Sequence, residues 1–433
     1  MKKICYLVRP CAGGIMEQVS RLVEHFSVDC HVVLVAYRGS DLLAREFDEK
    51  VRKYNLQRAS VFLSPGLLID LFVFWGILRR ERPDLLHIHG HAASQWGCFV
   101  AFMAGVPTVV TVHGFPVLPR ASSPWGRLVR GIFRAGEKIR QCMTVRYICV
   151  SRTLATYMES FAGVQKEKLA VIHNGVDPSP FEDPGDPAFI SAKRKELSGG
   201  DLGSPPAFSS ANRALPVIKG RPVGNAFHQG DIKEGALERP GPGRIVLVGT
   251  VARLAPQKGI EVFLRAASRL VSDFPYLRFT VVGDGPLRKE LESLSRELGL
   301  EKELYFAGYQ DDLPLVLKAL DIFVLPSTSE GLSITALEAL SASLPVAASH
   351  TGGIPEIVQE EETGLLFNPG DDRELSEKIK RLLKEPELGR VLGKEGRKKV
   401  HRSFTLEAMF RRTGLVYREA LNRRKSREKA KRV

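Results

Sequence analysis

Apolar residues along this chain fall into short unbroken runs, each followed by a small or polar turn and then by a stretch with helical spacing. Runs at 4–8, 31–36, 109–112 and 147–150, and again at 244–248, 279–282, 304–308 and 321–326, are rich in Val, Ile and Leu. Runs of this kind predict parallel strands covered on both faces, where the alternation of a half-exposed strand is lost. Between them, 15–26, 260–271 and 333–340 contain neither Gly nor Pro and predict helices. Amphipathic helix is expected from 371 to 400, and a last helix from about 406 to 421. Strands alternating with helices define an α/β fold, and 433 residues are enough for two or three domains.

The stretch 321–338, DIFVLPSTSEGLSITALE, organises the rest. Its strand ends at Pro326, and Ser327, Thr328 and Ser329 form a polar turn able to cap the next helix. Glu330 then stands at the mouth of a helix, beyond the carboxyl end of a strand, which in open α/β sheets faces the ligand crevice. Glu338 comes eight residues later, inside the helix. Ionised carboxylates are acceptors only, and suit sugar or ribose hydroxyls. An arbitrary pair of glutamates would be a solvated loop and a solvated helix surface; the flanking strand and turn tell against that here.

Other strand ends carry matching chemistry. After 244–248 come Arg253 and Lys258, five apart around Pro256 and just before a helix. Two cations beside a helix N-terminus supply what a diphosphate needs. The run 279–282 ends in Gly283-Asp284-Gly285-Pro286, a turn that allows close backbone approach, and 304–308 is followed by Tyr309. Gly352 and Gly353 precede a further helix and could form a phosphate nest. In the first half, Gly13 and Gly14 sit between the first strand and helix, and His113 closes the strand 109–112 on the crevice side. His87, His89 and His91 alternate on a strand and so share a face. Three imidazoles invite a zinc hypothesis, but no Cys or carboxylate stands near enough in sequence to complete the set. A dinucleotide-dependent dehydrogenase fits poorly. The first loop is not G-x-G-x-x-G, and Ala36-Tyr37-Arg38 offers no acid for a ribose.

Composition refines this picture. The formal charge is +14, but residues 411–433 hold ten Lys/Arg against Glu419 and Glu428, so most of it belongs to the tail. That reads as a tail effect and not as a nucleic-acid-binding fold. The six cysteines form no C-x-x-C pair and are expected as buried free thiols of a reducing cytoplasm. The apolar start is too short for a signal peptide. The longest apolar stretch, 61–78, is interrupted by Pro65, Gly66 and Asp70, and fits a core or membrane-lying helix better than a span. Pro, Gly and Ser crowd the segment 198–243, which reads as a mobile insertion.

Taken together, E-x7-E after a buried strand, the Arg253/Lys258-Gly259 spacing, GDGP and the Asn174-Gly175-Val176-Asp177 turn resemble the retaining glycosyltransferases of family 4, with the GT-B fold. The resemblance covers nearly the whole chain apart from the insertion and the tail. It implies two doubly wound Rossmann-like domains facing a cleft: 1–180 on the acceptor side and 244–404 on the nucleotide-sugar side. These are joined by a linker at 181–243 and followed by a crossover helix and basic tail at 405–433. It implies transfer of a hexosyl group from a nucleotide sugar such as a UDP-sugar to an acceptor hydroxyl, in envelope or polysaccharide synthesis. No cofactor and no essential metal are implied. Arg253 and Lys258 would meet the leaving diphosphate, Glu330 the sugar hydroxyls, Glu338 the ribose and His113 the donor sugar. Gly13, Gly14, Gly283, Tyr309, Gly331 and Leu332 would line the donor site. Expected partners are the donor, a glycan or lipid-linked acceptor and an anionic membrane surface met by the basic tail at the inner face of the cytoplasmic membrane; nucleic acid is not among them. The rival readings are a non-catalytic nucleotide-sugar binder on this fold and a nucleotide-sugar epimerase.

Overall fold

The computed structural model describes residues 2–9, 13–37, 40–56, 65–116, 118–119, 122–183, 185–200 and 245–430. Residues 10–12 of the first turn and the insertion from 201 through 244 lie outside these, as do the side chains beyond Arg423.

The apolar runs assemble into two parallel sheets. In the first, β1 (Lys3–Val8), β2 (His31–Tyr37), β3 (Val51–Leu56), β4 (Leu85–His89), β5 (Thr108–Val112), β6 (Arg146–Cys149) and β7 (Leu169–Val171) pair in the order 3-2-1-4-5-6-7. The crossovers hold α1 (Gly14–Ser27), α2 (Pro65–Glu81), α3 (His91–Met103), α4 (Pro124–Met143) and α5 (Arg152–Ser160). After α6 (Pro187–Leu197), the second sheet pairs β8 (Val246–Val251), β9 (Leu277–Val282), β10 (Leu304–Gly308), β11 (Ile322–Leu325), β12 (Val346–Ser349) and β13 (Leu365–Phe367) in the order 10-9-8-11-12-13. Its helices are α7 (Ile260–Leu270), α8 (Arg288–Glu297), α9 (Leu313–Ala319), α10 (Ile334–Ser341), α11 (Ile354–Ile357), α12 (Asp372–Lys384) and α13 (Pro386–Ser403). The last helix, α14 (Leu406–Ala430), closes the chain. The order of each sheet reverses once, between β1 and β4 and between β8 and β11, and such switch points open the ligand crevice of an α/β sheet.

Alternate residues of β1 serve different cores. Cys5 and Leu7 face Phe74, Ile77 and Leu78 of α2 and Cys98 and Ala101 of α3, whereas Ile4, Tyr6 and Val8 face α1 and α14. Burying a Leu or Phe side chain stabilises by about 1.5–3 kcal/mol, so both faces of the sheet need their cover. The final helix therefore crosses back: Met409, Val416, Tyr417 and Leu421 pack beneath the first sheet. Where it crosses, the amide of Val176 donates to the carbonyl of Phe404 at 2.9 Å, and the amide of Leu406 donates to the carbonyl of Val176 at 3.1 Å.

Four local features differ from the sequence reading. β3 (VRKYNL) is an exposed edge strand held by parallel pairing to β2, without an apolar run to announce it. The helix expected over 371–400 is two helices, because Pro386 has no N–H to continue α12 and instead starts α13. The linker read at 181–243 contains α6, which lies on the second domain, with Arg194 bonded to the carbonyl of Ala319 at 2.9 Å and to the Asp321 carboxylate. The cap of α10 is Ser333, accepting from the amide of Ala336, and not the 327–329 turn.

Candidate active site

The loops leaving β5, β11 and β12 meet where the two domains face each other. A Cβ on Gly331 would lie 1.9 Å from the carbonyl oxygen of His113, so only glycine lets the β11 loop approach the end of β5. Gly352 supports the same loop from below: its added Cβ would lie 1.8 Å from the carbonyl oxygen of Glu330. The nest expected of Gly352 and Gly353 is thus occupied by protein backbone. Across the cleft, Gly14 at the start of α1 faces the Ile334 side chain at the start of α10. Gly13, with φ 75°, makes the turn into α1.

Glu330 stands as expected beyond the end of β11. Its Oε2 accepts from Lys258 Nζ at 2.5 Å and from Ser327 Oγ at 3.3 Å. Lys258 lies beyond β8, the other strand of the switch point, so the topology brings this pair together across 72 residues. Arg253 is exposed and has no side-chain partner among the described residues. Gly283 is packed against protein: its Cβ would lie 2.0 Å from the carbonyl of Ala252, and its amide donates to the carbonyl of Gly308 at 2.7 Å. Tyr309, next in the chain after Gly308, is 75% exposed. Leu332 is a core residue whose carbonyl accepts from Asn174 Nδ2 at 3.0 Å, so its side chain and carbonyl are already engaged.

Glu338 projects from α10 toward α1. Burial pushes its carboxyl up to about 8, the neighbouring Glu17 adds to this and Arg21 opposes it. His113 is held at about 3 by burial and by His91. Both are groups whose charge is disfavoured in a cleft, a pattern common at functional sites.

Three residues of the site region have roles that no local sequence pattern indicates. His89 Nδ1 lies 3.0 Å from His113 Nε2. Asn174 ties the domains through Leu332, and Glu356 does so more extensively. The Glu356 carboxylate accepts from the amides of Arg152 and Thr153, both at 3.0 Å, and lies 2.8 Å from His173 Nε2. Two of the three histidines share a face of β4 as expected, with the His87 and His89 rings 4.1 Å apart and His87 bonded to Tyr417 and Thr111, but His91 has left the strand to begin α3. Among the described residues no group of three His, Cys, Asp or Glu is placed to hold a metal.

Two parallel α/β sheets, each with one switch point, whose strand-end loops meet between the domains, are the arrangement of the GT-B fold. Known proteins agree. Residues 12–180 match the family described as Glycosyltransferase Family 4, and residues 238–399 match Glycosyl transferases group 1. The chain belongs to this family and transfers a sugar from a nucleotide sugar. It is 29% identical over 342 residues to the UDP-Gal:alpha-D-GlcNAc-diphosphoundecaprenol alpha-1,3-galactosyltransferase of Escherichia coli, covering 78% of this chain and 76% of that one. It is 28% identical to the 2-deoxystreptamine glucosyltransferase of Streptomyces kanamyceticus, covering 71% and 70%. In fold it is similar to Anabaena HepE, solved in complex with UDP and glucose, with TM-score 0.74, 20% identity and 96% and 99% of the two chains covered.

Proposed function

We propose that the protein is a retaining hexosyltransferase that uses a UDP-sugar and acts in envelope or polysaccharide assembly on a lipid-linked or glycan acceptor. The observation that carries this reading is the Lys258–Glu330 pair at the second switch point, set against His113 of the first domain. When the donor diphosphate enters, it takes Arg253 and Lys258, and Glu330 is released to accept from sugar hydroxyls. The bond from the anomeric carbon to the diphosphate breaks, its electron pair leaves on the phosphate oxygen, and the acceptor oxygen bonds on the same face. The acceptor proton passes to the departing diphosphate. Cationic donors aimed at that growing charge are worth roughly 10²–10³ in rate each. They supply the role a metal would otherwise fill, so turnover is expected to persist in EDTA. Glu338, whose carboxyl faces the cleft, would meet the ribose; Gly13, Gly14, Gly283 and Tyr309 would border the donor.

The Escherichia coli relative is named for a UDP-sugar donor, a diphosphoundecaprenol acceptor and an α-linked product, which supports this choice of substrate class. The test is a donor screen read by released nucleoside diphosphate, with polyprenyl-diphosphate-linked and soluble acceptors in parallel and NMR of the product's anomeric centre. An inverted product would remove the retaining assignment. Release with soluble acceptors alone would remove the lipid-linked one.

A further inference from the structure

Helices α2, α3 and α4 lie side by side on the face of the first sheet opposite α1 and α14. Their outward sides are apolar. α2 exposes Leu68, Ile69, Phe72, Val73 and Trp75, while it buries Asp70. α3 exposes Phe99, Phe102 and Met103 at the spacing of one helix face. α4 exposes Trp125, Leu128, Ile132 and Ile139, again one stripe. Together these are twelve of the eighteen large apolar side chains exposed among the described residues, and all three tryptophans of the chain lie in these helices. Monomeric soluble proteins rarely carry an apolar patch of such breadth without a partner for it.

The charges on this face have one sign. Every carboxylate of the three helices is buried: Asp70, Glu81 and Glu137. The exposed charges are Arg79 and Arg80 at the end of α2 and Arg127, Arg134 and Lys138 beside the apolar stripe of α4. The Arg79 guanidinium stands 5.6 Å over the Trp75 ring. α4 is tied to α3 in the buried seam, where Arg140 pairs with Glu137 at 2.8 Å and donates to Ser94 of α3 at 3.0 Å.

We propose that the α2–α3–α4 face is a docking surface for an anionic lipid bilayer. Trp, Phe and Leu on one side with Arg and Lys alongside is the composition of elements that lie in the headgroup layer. Among the described residues no helix is long and apolar enough to cross a membrane. A second copy of this chain fits less well: a two-fold interface would press this patch, whose exposed charges are all Arg or Lys, against itself, with no exposed carboxylate on these helices to answer them. In a parallel α/β sheet each helix begins at the carboxyl edge of the strand before it, which is the cleft side. Trp125 opens α4 just after the loop that leaves His113, so the docked surface runs up to the acceptor side of the cleft. This face, and not the basic tail, is the principal anchor, since α14 packs under the opposite face of the sheet.

The proposal shares with the functional reading the idea of a lipid-borne acceptor, but vesicle binding needs neither donor nor acceptor, so the two fail separately. The experiment is flotation of the full chain with phosphatidylcholine vesicles, with and without phosphatidylglycerol, together with tryptophan quenching by brominated lipid. Binding to the anionic vesicles and quenching are expected. The exposed triple variant W125Q/I132Q/I139Q and the charge reversal R127E/R134E should each weaken partitioning at least tenfold with unchanged melting temperature. A chain ending at Leu421 should bind nearly as well as the full one. Unquenched tryptophan, equal binding by both variants, or loss of binding on tail removal alone would each overturn the proposal. So would a solution dimer that the triple variant splits and that ignores vesicles.

Discussion

His89 Nδ1 and His113 Nε2 face each other at 3.0 Å across neighbouring strands, and the remaining nitrogen of His89 is buried without a partner. Both rings are kept neutral by burial. One must donate and the other accept. An orphaned buried N–H is rarer in proteins than an orphaned acceptor, so the hydrogen of His89 sits on Nδ1. His113 then accepts at Nε2 and keeps its hydrogen on Nδ1, as a fixed donor. The variant His89→Phe is expected to lower turnover about tenfold, the worth of one oriented hydrogen bond. Nitrogen-15 shifts of His113 should show a defined tautomer in the native protein and a mixture in the variant. Unchanged shifts would assign His89 to packing alone.

Arg253 and Lys258 should separate when mutated. Arg253→Ala removes an exposed group without a partner, so stability should stay within about 0.5 kcal/mol while turnover falls by roughly 10². Lys258→Ala also strands the Glu330 carboxylate, and should lower both turnover and melting temperature. Kinetics beside thermal melts resolve the two. A fully active double variant would end the diphosphate assignment.

Glu338 carries a pH signature. Its folded pKa, about 8, lies above the ordinary carboxylate value, with burial as the main cause and Glu17 second. A raised carboxyl costs nothing while protonated, and its penalty grows as pH climbs from the unfolded value toward the folded one. The donor-free protein should therefore lose stability between about pH 4.5 and 8 from this group, by up to about 5 kcal/mol. Glu338→Gln should flatten that slope and raise the melting temperature at pH 8 more than at pH 5, while donor affinity falls. Parallel melting curves would remove Glu338 from the account.

Glu356 behaves in the opposite sense. Hydrogen bonds from His173 and from the amides of Arg152 and Thr153 outweigh its burial and hold its carboxyl below the usual range. Its contribution is present above the unfolded carboxylate value and is lost as pH falls through the folded one. Glu356→Ala is expected to loosen the two domains, measured as a larger radius of gyration by small-angle scattering with each domain still folded. An unchanged radius would mean that Asn174 and the Val176 crossing suffice.

Gly331→Ala tests the approach of the domains directly, because its methyl would overlap the His113 carbonyl. Turnover should fall at least tenfold with little change in far-ultraviolet circular dichroism. Full activity would show that the β11 loop has another route to the cleft.

The two-sheet architecture and the place of Glu330 could be read directly from the chain, because buried parallel strands announce themselves as unbroken apolar runs that also mark where each strand ends. β3 could not, since VRKYNL owes its conformation to pairing with β2 and not to burial. Glycines were legible as points of close approach, but not what approached: at Gly283, Gly331 and Gly352 it is protein backbone. The roles of His89 and Glu356 escaped because their partners lie 24 and about 200 residues away, and no local pattern encodes such a distance. The break at Pro386 was written in the sequence and is a plain consequence of the missing N–H.

The crossing of α14 has a bearing on synthesis. Domains tend to fold as they emerge from the ribosome, amino-terminal part first. Here Tyr6, Val8 and Leu34 of the earliest strands are covered partly by Met409, Val416 and Tyr417, and the Tyr417 hydroxyl closes a buried bond to His87. The first domain must wait, with part of one sheet face bare, through the translation of some two hundred further codons. Its last layer arrives only after the second domain has already been made, so this apolar face of the first sheet lacks its full cover until the carboxyl-terminal helix has emerged.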